Sequence, residues 1–102
     1  MNALEFFENM NQHFKPKAAA GMDVVCQYEF SDDDNHFIVI KDGEREIMKG
    51  DHASPTVTVI TDIATLVSIS NGASAMFALM TGKLKTSGDA LLAQKMPTLF
   101  SA

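Results

Sequence analysis

Three histidines, one cysteine and a run of aspartates are the residues of this chain whose types lend themselves to chemistry. An imidazole placed beside a nucleophile can act as a general base, and a matched acid and base can share a proton transfer. His13, His36 and His52 stand far apart, at an expected helix end, a strand start and a loop, and none has a local partner pattern. Surface or capping roles are expected of them. Asp32, Asp33 and Asp34 invite a calcium reading, yet an EF-hand loop counted from Asp32 needs glycine at its sixth position and glutamate at its twelfth. Phe37 and Gly43 occupy those places, so the run reads as a solvated hairpin turn. Cys26 alternates inward with Tyr28 and reads as a small buried hydrophobe. No zinc-ligand spacing, phosphate-binding loop or dinucleotide fingerprint occurs. The expectation is therefore a chain that is not an enzyme and carries neither metal nor cofactor.

With little to position for catalysis, the composition turns attention to binding. The 102 residues suffice for a single domain with its own core, expected over residues 1–102. Net charge is -5 and the eight Lys and Arg are scattered, so no basic stripe tracks phosphates and nucleic acid is not an expected partner. No stretch approaches the ~18 consecutive apolar residues of a membrane span, so stable membrane insertion is not expected either. A single cysteine makes no internal disulfide, and the N-terminal residues are acidic and aromatic, unlike a secretory leader. A cytoplasmic setting fits best. Seven Met and seven Phe with no Trp suit walls that adapt to an irregular apolar occupant, and suit equally a Met-filled core with no ligand.

The elements follow from periodicity. Ala3, Phe6, Phe7, Met10 and Phe14 recur at helical spacing, and Lys15-Pro16 ends that helix. Ala18 to Gly21 is a short connection with a helical turn. From Val24 the period becomes two, with Val24, Cys26, Tyr28 and Phe30 on one face. His36 to Lys41 is apolar on both faces and predicts a strand covered on both sides. Asp42-Gly43 is a hairpin turn, leading to a more exposed strand over Glu44 to Lys49. Pro55 opens a fourth strand, Thr56 to Ile60, and Thr61 is the expected N-cap of a helix through Ile63, Leu66, Val67 and Ile69 that stops at Asn71-Gly72. A second helix from Ser74 has a body, Ala75 to Met80, apolar all the way round, which means burial on every side or exposure to something apolar. Gly82 ends it. Lys83 to Ser87 reads as a fifth, edge strand, and Asp89 caps a last helix that Pro97 is expected to kink or split.

In that order the signals resemble the sterol carrier protein 2 domain over essentially the whole chain. The most specific part is Phe77-Ala78-Leu79-Met80-Thr81-Gly82-Lys83-Leu84-Lys85-Thr86-Ser87-Gly88-Asp89: an apolar helix, Gly-Lys, a short alternating strand and Gly-Asp. The resemblance implies an α+β fold, a five-stranded, largely antiparallel sheet covered by helices, with an apolar tunnel between sheet and helices. It implies an apolar lipid ligand (sterol, fatty acyl or isoprenoid-like), bound or transferred without catalysis. Carried over by position, the lining would come from Ile69, Met76, Phe77, Met80, Leu91, Leu92, Met96 and Phe100. Each of these also reads as ordinary core. Domains of this family occur beside lipid and quinone biosynthetic enzymes, so an accessory or scaffold module acting through a homodimer or an enzyme partner is the alternative. The final Leu99-Phe100-Ser101-Ala102 carries no Ser-Lys-Leu-like peroxisomal address and no longer tail to close a tunnel.

Overall fold

Turns and four capped helices divide the chain, and their chemistry places each element. The computed structural model describes residues 1–100; Ser101 and Ala102, the last residues of the tail read above, lie outside the described residues. Helix α1 spans Ala3–Asn11 and opens on a capping box, in which the Asn2 side chain accepts from Glu5 N–H and the Glu5 carboxylate accepts from Asn2 N–H. It stops three residues short of the predicted Phe14, because the amide of Lys15 donates to Leu99 O instead of continuing the helix. Strands β1 (Asp23–Phe30), β2 (His36–Lys41) and β3 (Glu44–Lys49) form an antiparallel meander. Asp42 and Gly43 take φ of 54° and 75°, the two positive values that a type I′ turn requires.

Strand β4 (Val57–Thr61) pairs in parallel with β1, and β5 (Lys85–Gly88) pairs antiparallel with β4, giving the order β3-β2-β1-β4-β5. The sheet is thus mixed, with one parallel pair at its centre. Thr61 belongs to β4 rather than capping the next helix: its hydroxyl donates to Lys83 O, and Asp62 takes the cap of α2 (Ile63–Ser70). Helix α3 (Ala75–Met80) is capped by Ser74. The amides of Lys83 and Leu84 both donate to Ala78 O to close α3, so β5 starts two residues later than the alternation suggested. Gly88 has φ 96°, and a Cβ there would lie 2.6 Å from Thr56 O. Helix α4 (Ala90–Leu99) runs unbroken through Pro97, which stands near its C-terminal end, where one missing amide removes only one bond of the ladder.

All helices cover one face of the sheet. Cys26, Tyr28, Ile38, Ile40, Val57 and Val59 point into the core with Phe7 of α1, Ile63 of α2, Ala78 of α3 and Met96 and Leu99 of α4. The opposite face has no helix. There Gln27, 3 % exposed, accepts from His52 N–H and donates to Gly50 O and the Asp51 carboxylate, holding the β3–β4 connection across the sheet. The His52 ring meets Phe37 edge-on at 5.2 Å, so β2 is covered on its second face by a loop.

Candidate functional site

Where α1 and α2 diverge over the sheet, the core leaves a cleft of about 570 Å³. Phe6 and Met10 of α1 form one wall, Leu66, Val67 and Ile69 of α2 the other, Pro97 and Phe100 one end, and the Tyr28 ring contributes to the lining from β1. Asn9, His13, Ser70 and Asn71 bring polar atoms to this otherwise apolar space, and Met1 lies along it. No Lys, Arg, Asp or Glu side chain among the described residues lines it. Such a space takes a predominantly apolar guest of small-molecule size.

The spacing of its walls is set by the aspartate turn. The Asp33 carboxylate accepts from Ala3 N–H at 2.8 Å and from Asp34 N–H at 2.7 Å, which anchors the start of α1. The Asp32 carboxylate accepts from Ile63 N–H at 3.1 Å and anchors the start of α2. Adjacent residues of one turn therefore hold the first turns of both walls, where free amides and the helix dipole favour negative charge. The backbone amides of Ala3 and Asp34 hold the Asp33 carboxyl below its ordinary value, and the Thr65 amide does the same for Asp62. The solvated turn predicted from sequence is an anchor point for both walls of the cleft. At the far end, Phe14 and Phe100 have ring centroids 5.3 Å apart, beside the bond from Lys15 N–H to Leu99 O at 2.8 Å.

Beneath the lining, burial pushes the Cys26 thiol up to about 12 and the Tyr28 phenol well above its usual value. Both are neutral and unreactive across the physiological range. His36 is buried, stacked on Phe7 with centroids 4.8 Å apart, and its Nδ1 bonds Asp34 O. His52 accepts from Ser54 N–H. His13 alone of the three borders the cleft.

Of the eight residues predicted to line a ligand site, Ile69 and Phe100 border the cleft. Ile69 also borders, with Phe77, a smaller hollow of about 260 Å³ between α2 and α3. Leu92 and Met96 are packed in the core, whereas Met76, Phe77, Met80 and Leu91 are 61, 64, 79 and 75 % exposed. The structure thus does not gather the eight at one place. Phe6, Met10, His13, Tyr28, Leu66 and Val67 border the cleft without having been singled out. The helical stripe of Phe6 and Met10 was readable as buried, but no local pattern marks which buried residues face a void.

Solved structures share this fold. The stereoselective inverting sec-alkylsulfatase from Pseudomonas sp. matches with a TM-score of 0.87 at 21% identity, covering 95% of this chain and 16% of that one. The palmitated sterol carrier protein 2-like 2 of Aedes aegypti matches with a TM-score of 0.73 at 24% identity, over 100% of this chain and 96% of that one. A ubiquinone synthesis protein described as UbiJ-SCP2 matches with a TM-score of 0.71 at 16% identity, over 94% and 88%. At these identities the likeness shows the fold alone. It nevertheless corrects the expectation of a chain that is not an enzyme: the same fold, at high structural similarity, is built into a sulfatase of which this chain spans 16%. The missing nucleophile and base describe this domain's residues and do not exclude a place in catalysis. No helix among the described residues is long and apolar enough to cross a membrane. Among curated proteins no sequence matches. The profile of the SCP-2 sterol transfer family matches residues 5–101, which is nearly the whole domain just described, and the chain belongs to that family.

Proposed function

We propose that this chain binds the apolar part of a lipid in the cleft between α1, α2 and α4 and carries or presents it. The observation that carries the reading is a void of about 570 Å³ walled by Phe6, Met10, Leu66, Val67, Ile69 and Phe100 in a member of a sterol transfer family. Burying apolar surface is worth roughly 25 cal/mol per Å², so a tail hiding ~300 Å² gains several kcal/mol before association costs, which suits micromolar affinity. The palmitated Aedes aegypti relative supports an acyl chain as one kind of occupant. The tunnel implied by the family resemblance would join the cleft to the α2–α3 hollow past Ile69, which borders both. A reducing cytoplasm belongs to this reading, since Cys26 is a free thiol.

One observation favours a second reading. Helix α3 turns Met76, Phe77 and Met80 outward, an apolar surface suited to a second copy or to an enzyme partner. The fold of the UbiJ-SCP2 ubiquinone synthesis protein supports such an accessory role.

Displacement of a fluorescent fatty acid from the purified chain, with native mass spectrometry of any lipid that co-purifies, tests both. Micromolar binding that falls at least about tenfold in folded Met10→Asp and Val67→Asp variants would locate the ligand in the cleft. Loss of binding only in Phe77→Asp and Met80→Asp variants would move it to α3. A chain that binds no lipid, yet self-associates in light scattering until those α3 substitutions are made, would favour the accessory module.

A further inference from the structure

We infer that α3 docks this domain reversibly on an anionic lipid bilayer, with Met76, Phe77 and Met80 entering the headgroup region and Lys83 and Lys85 meeting the acidic headgroups. None of the five borders the cleft, so the docking surface is a second site.

The geometry is that of a helix lying on a surface. At about 100° per residue, Met76, Met80 and Phe77 fall within an arc of roughly 100° on α3. Ala78, on the other side of the helix, is buried against the core. The backbone is closed at both ends: Ser74 Oγ accepts from Phe77 N–H, the Thr81 hydroxyl donates to Phe77 O, and Ala78 O accepts from the amides of Lys83 and Leu84. The helix therefore brings few unpaired polar groups to a place where water is scarce.

Area and charge favour a bilayer over a second protein. Whole residues of this size present roughly 200 Å² each, so at 61, 64 and 79 % exposure the three side chains offer on the order of 400 Å². That is about half of the ~800 Å² each partner commits to a stable protein interface. A bilayer sets no such threshold, because a few inserted apolar side chains with adjacent lysines suffice for reversible binding. The chain as a whole carries -5, yet no acidic residue lies between Asp62 and Asp89, and Lys83 and Lys85, both exposed, fall in that stretch. Lys83 directly follows α3 and borders the α2–α3 hollow with Phe77. Asp62, which feels the charge of Lys83, is already bonded to Thr65. A second copy seated symmetrically on α3 would bring lysines together, whereas acidic headgroups attract them. The exposed apolar pair Met1 and Leu4 is placed differently. It stands at the start of α1 with Glu5, Glu8 and the Asp33 carboxylate that holds Ala3 N–H, so acids outnumber the Met1 amino group there. An anionic surface thus attracts the α3 side and repels the α1 side, which orients the docked domain.

Co-sedimentation of the chain with vesicles of phosphatidylcholine alone, or with phosphatidylglycerol added, tests this. Partitioning should be about tenfold stronger on the anionic vesicles and should weaken as salt rises. Phe77→Ser with Met80→Ser should lower it by at least about tenfold. Lys83→Glu with Lys85→Glu should abolish the preference for anionic over neutral vesicles, while Leu4→Ser on α1 changes neither. All these side chains are exposed, and circular dichroism checks that each variant keeps the fold. Binding that the α3 substitutions leave unchanged, or that Leu4→Ser alone removes, would overturn the proposal. So would a chain that stays in solution with both kinds of vesicle; if light scattering then shows a dimer that the α3 substitutions dissolve, α3 is a protein interface instead. The fluorescent fatty acid reads the cleft independently, since neither Phe77 nor Met80 borders it. Fatty-acid binding without vesicle docking sinks this proposal alone, and docking without fatty-acid binding sinks the lipid-carrying reading alone.

Discussion

A carboxylate at the head of a helix recurs through this chain, and at Asp62 it can be weighed. Its side chain accepts from both the amide and the hydroxyl of Thr65, at 2.7 and 2.8 Å, and these bonds favour the ionised form. Removing such a cap costs about 1 kcal/mol, so Asp62→Ala should lower the unfolding free energy at pH 7 by about that amount in denaturant titrations. The pH dependence has a definite sign. The folded-state pKa of Asp62, like that of Asp33, lies below the ordinary 3.8, so the unfolded chain binds more protons in that acid window. The contribution is complete above the unfolded value and disappears as pH falls through the depressed folded one. The gap between wild type and Asp62→Ala should therefore narrow below about pH 4, and a gap that widened there would contradict the assignment. Asp32 and Asp33 show what residue type alone conceals. As a run of acids they read as a solvated turn, yet their oxygens hold Ile63 and Ala3, about thirty positions away in either direction. No spacing rule reports a bond of that range.

Between elements, backbone approach decides as much as side-chain packing. Gly88 ends β5 with φ 96°, against the carbonyl of Thr56, and Asp89 N–H donates to that same carbonyl at 3.1 Å. A methyl group there would meet Thr56 O at 2.6 Å and Val57 Cα at 3.2 Å, both of them backbone. Gly88→Ala should destabilise the domain by more than about 1 kcal/mol in chemical denaturation, through the disfavoured φ and the contact together. Gly82→Ala, with φ 78° and open space around it, should show the conformational cost alone. The strands and helices themselves were largely readable from period and capping chemistry, including the limits of β2 and β3. Two misplaced limits lie where a distant group competes for the local one: Lys83 O claims the Thr61 hydroxyl, and Leu99 O claims the Lys15 amide. Helix α3 was readable as apolar all round, but which of burial or exposure it meets depends on how far its neighbours extend. The same is true of the cleft. Phe6 and Met10 announce a buried face, while the void beside them results from the stance of two helices fixed by Asp32 and Asp33.

For the molecule as a whole, the sheet order separates early from late sequence. The meander β1-β2-β3 closes through short turns, whereas the parallel pairing of β1 with β4 and the seating of α4 join distant parts of the chain. The cleft exists only when both are assembled, since α1 supplies one wall and α2 and α4 the others. Beside its Phe100 end lies the bond from Lys15 N–H to Leu99 O, next to the contact of Phe14 with Phe100. That amide links the segment that follows α1 to the end of α4. It can trade its hydrogen for deuterium only when the α4 end lifts away, so its exchange is a clock for the opening of the cleft. In amide-exchange mass spectrometry or NMR, the Lys15 amide should slow when a lipid occupies the cleft, by a factor that tracks ligand occupancy, while the amides of β3 keep their pace. The chain would thereby report, at a backbone position that touches no ligand, how long each guest is retained.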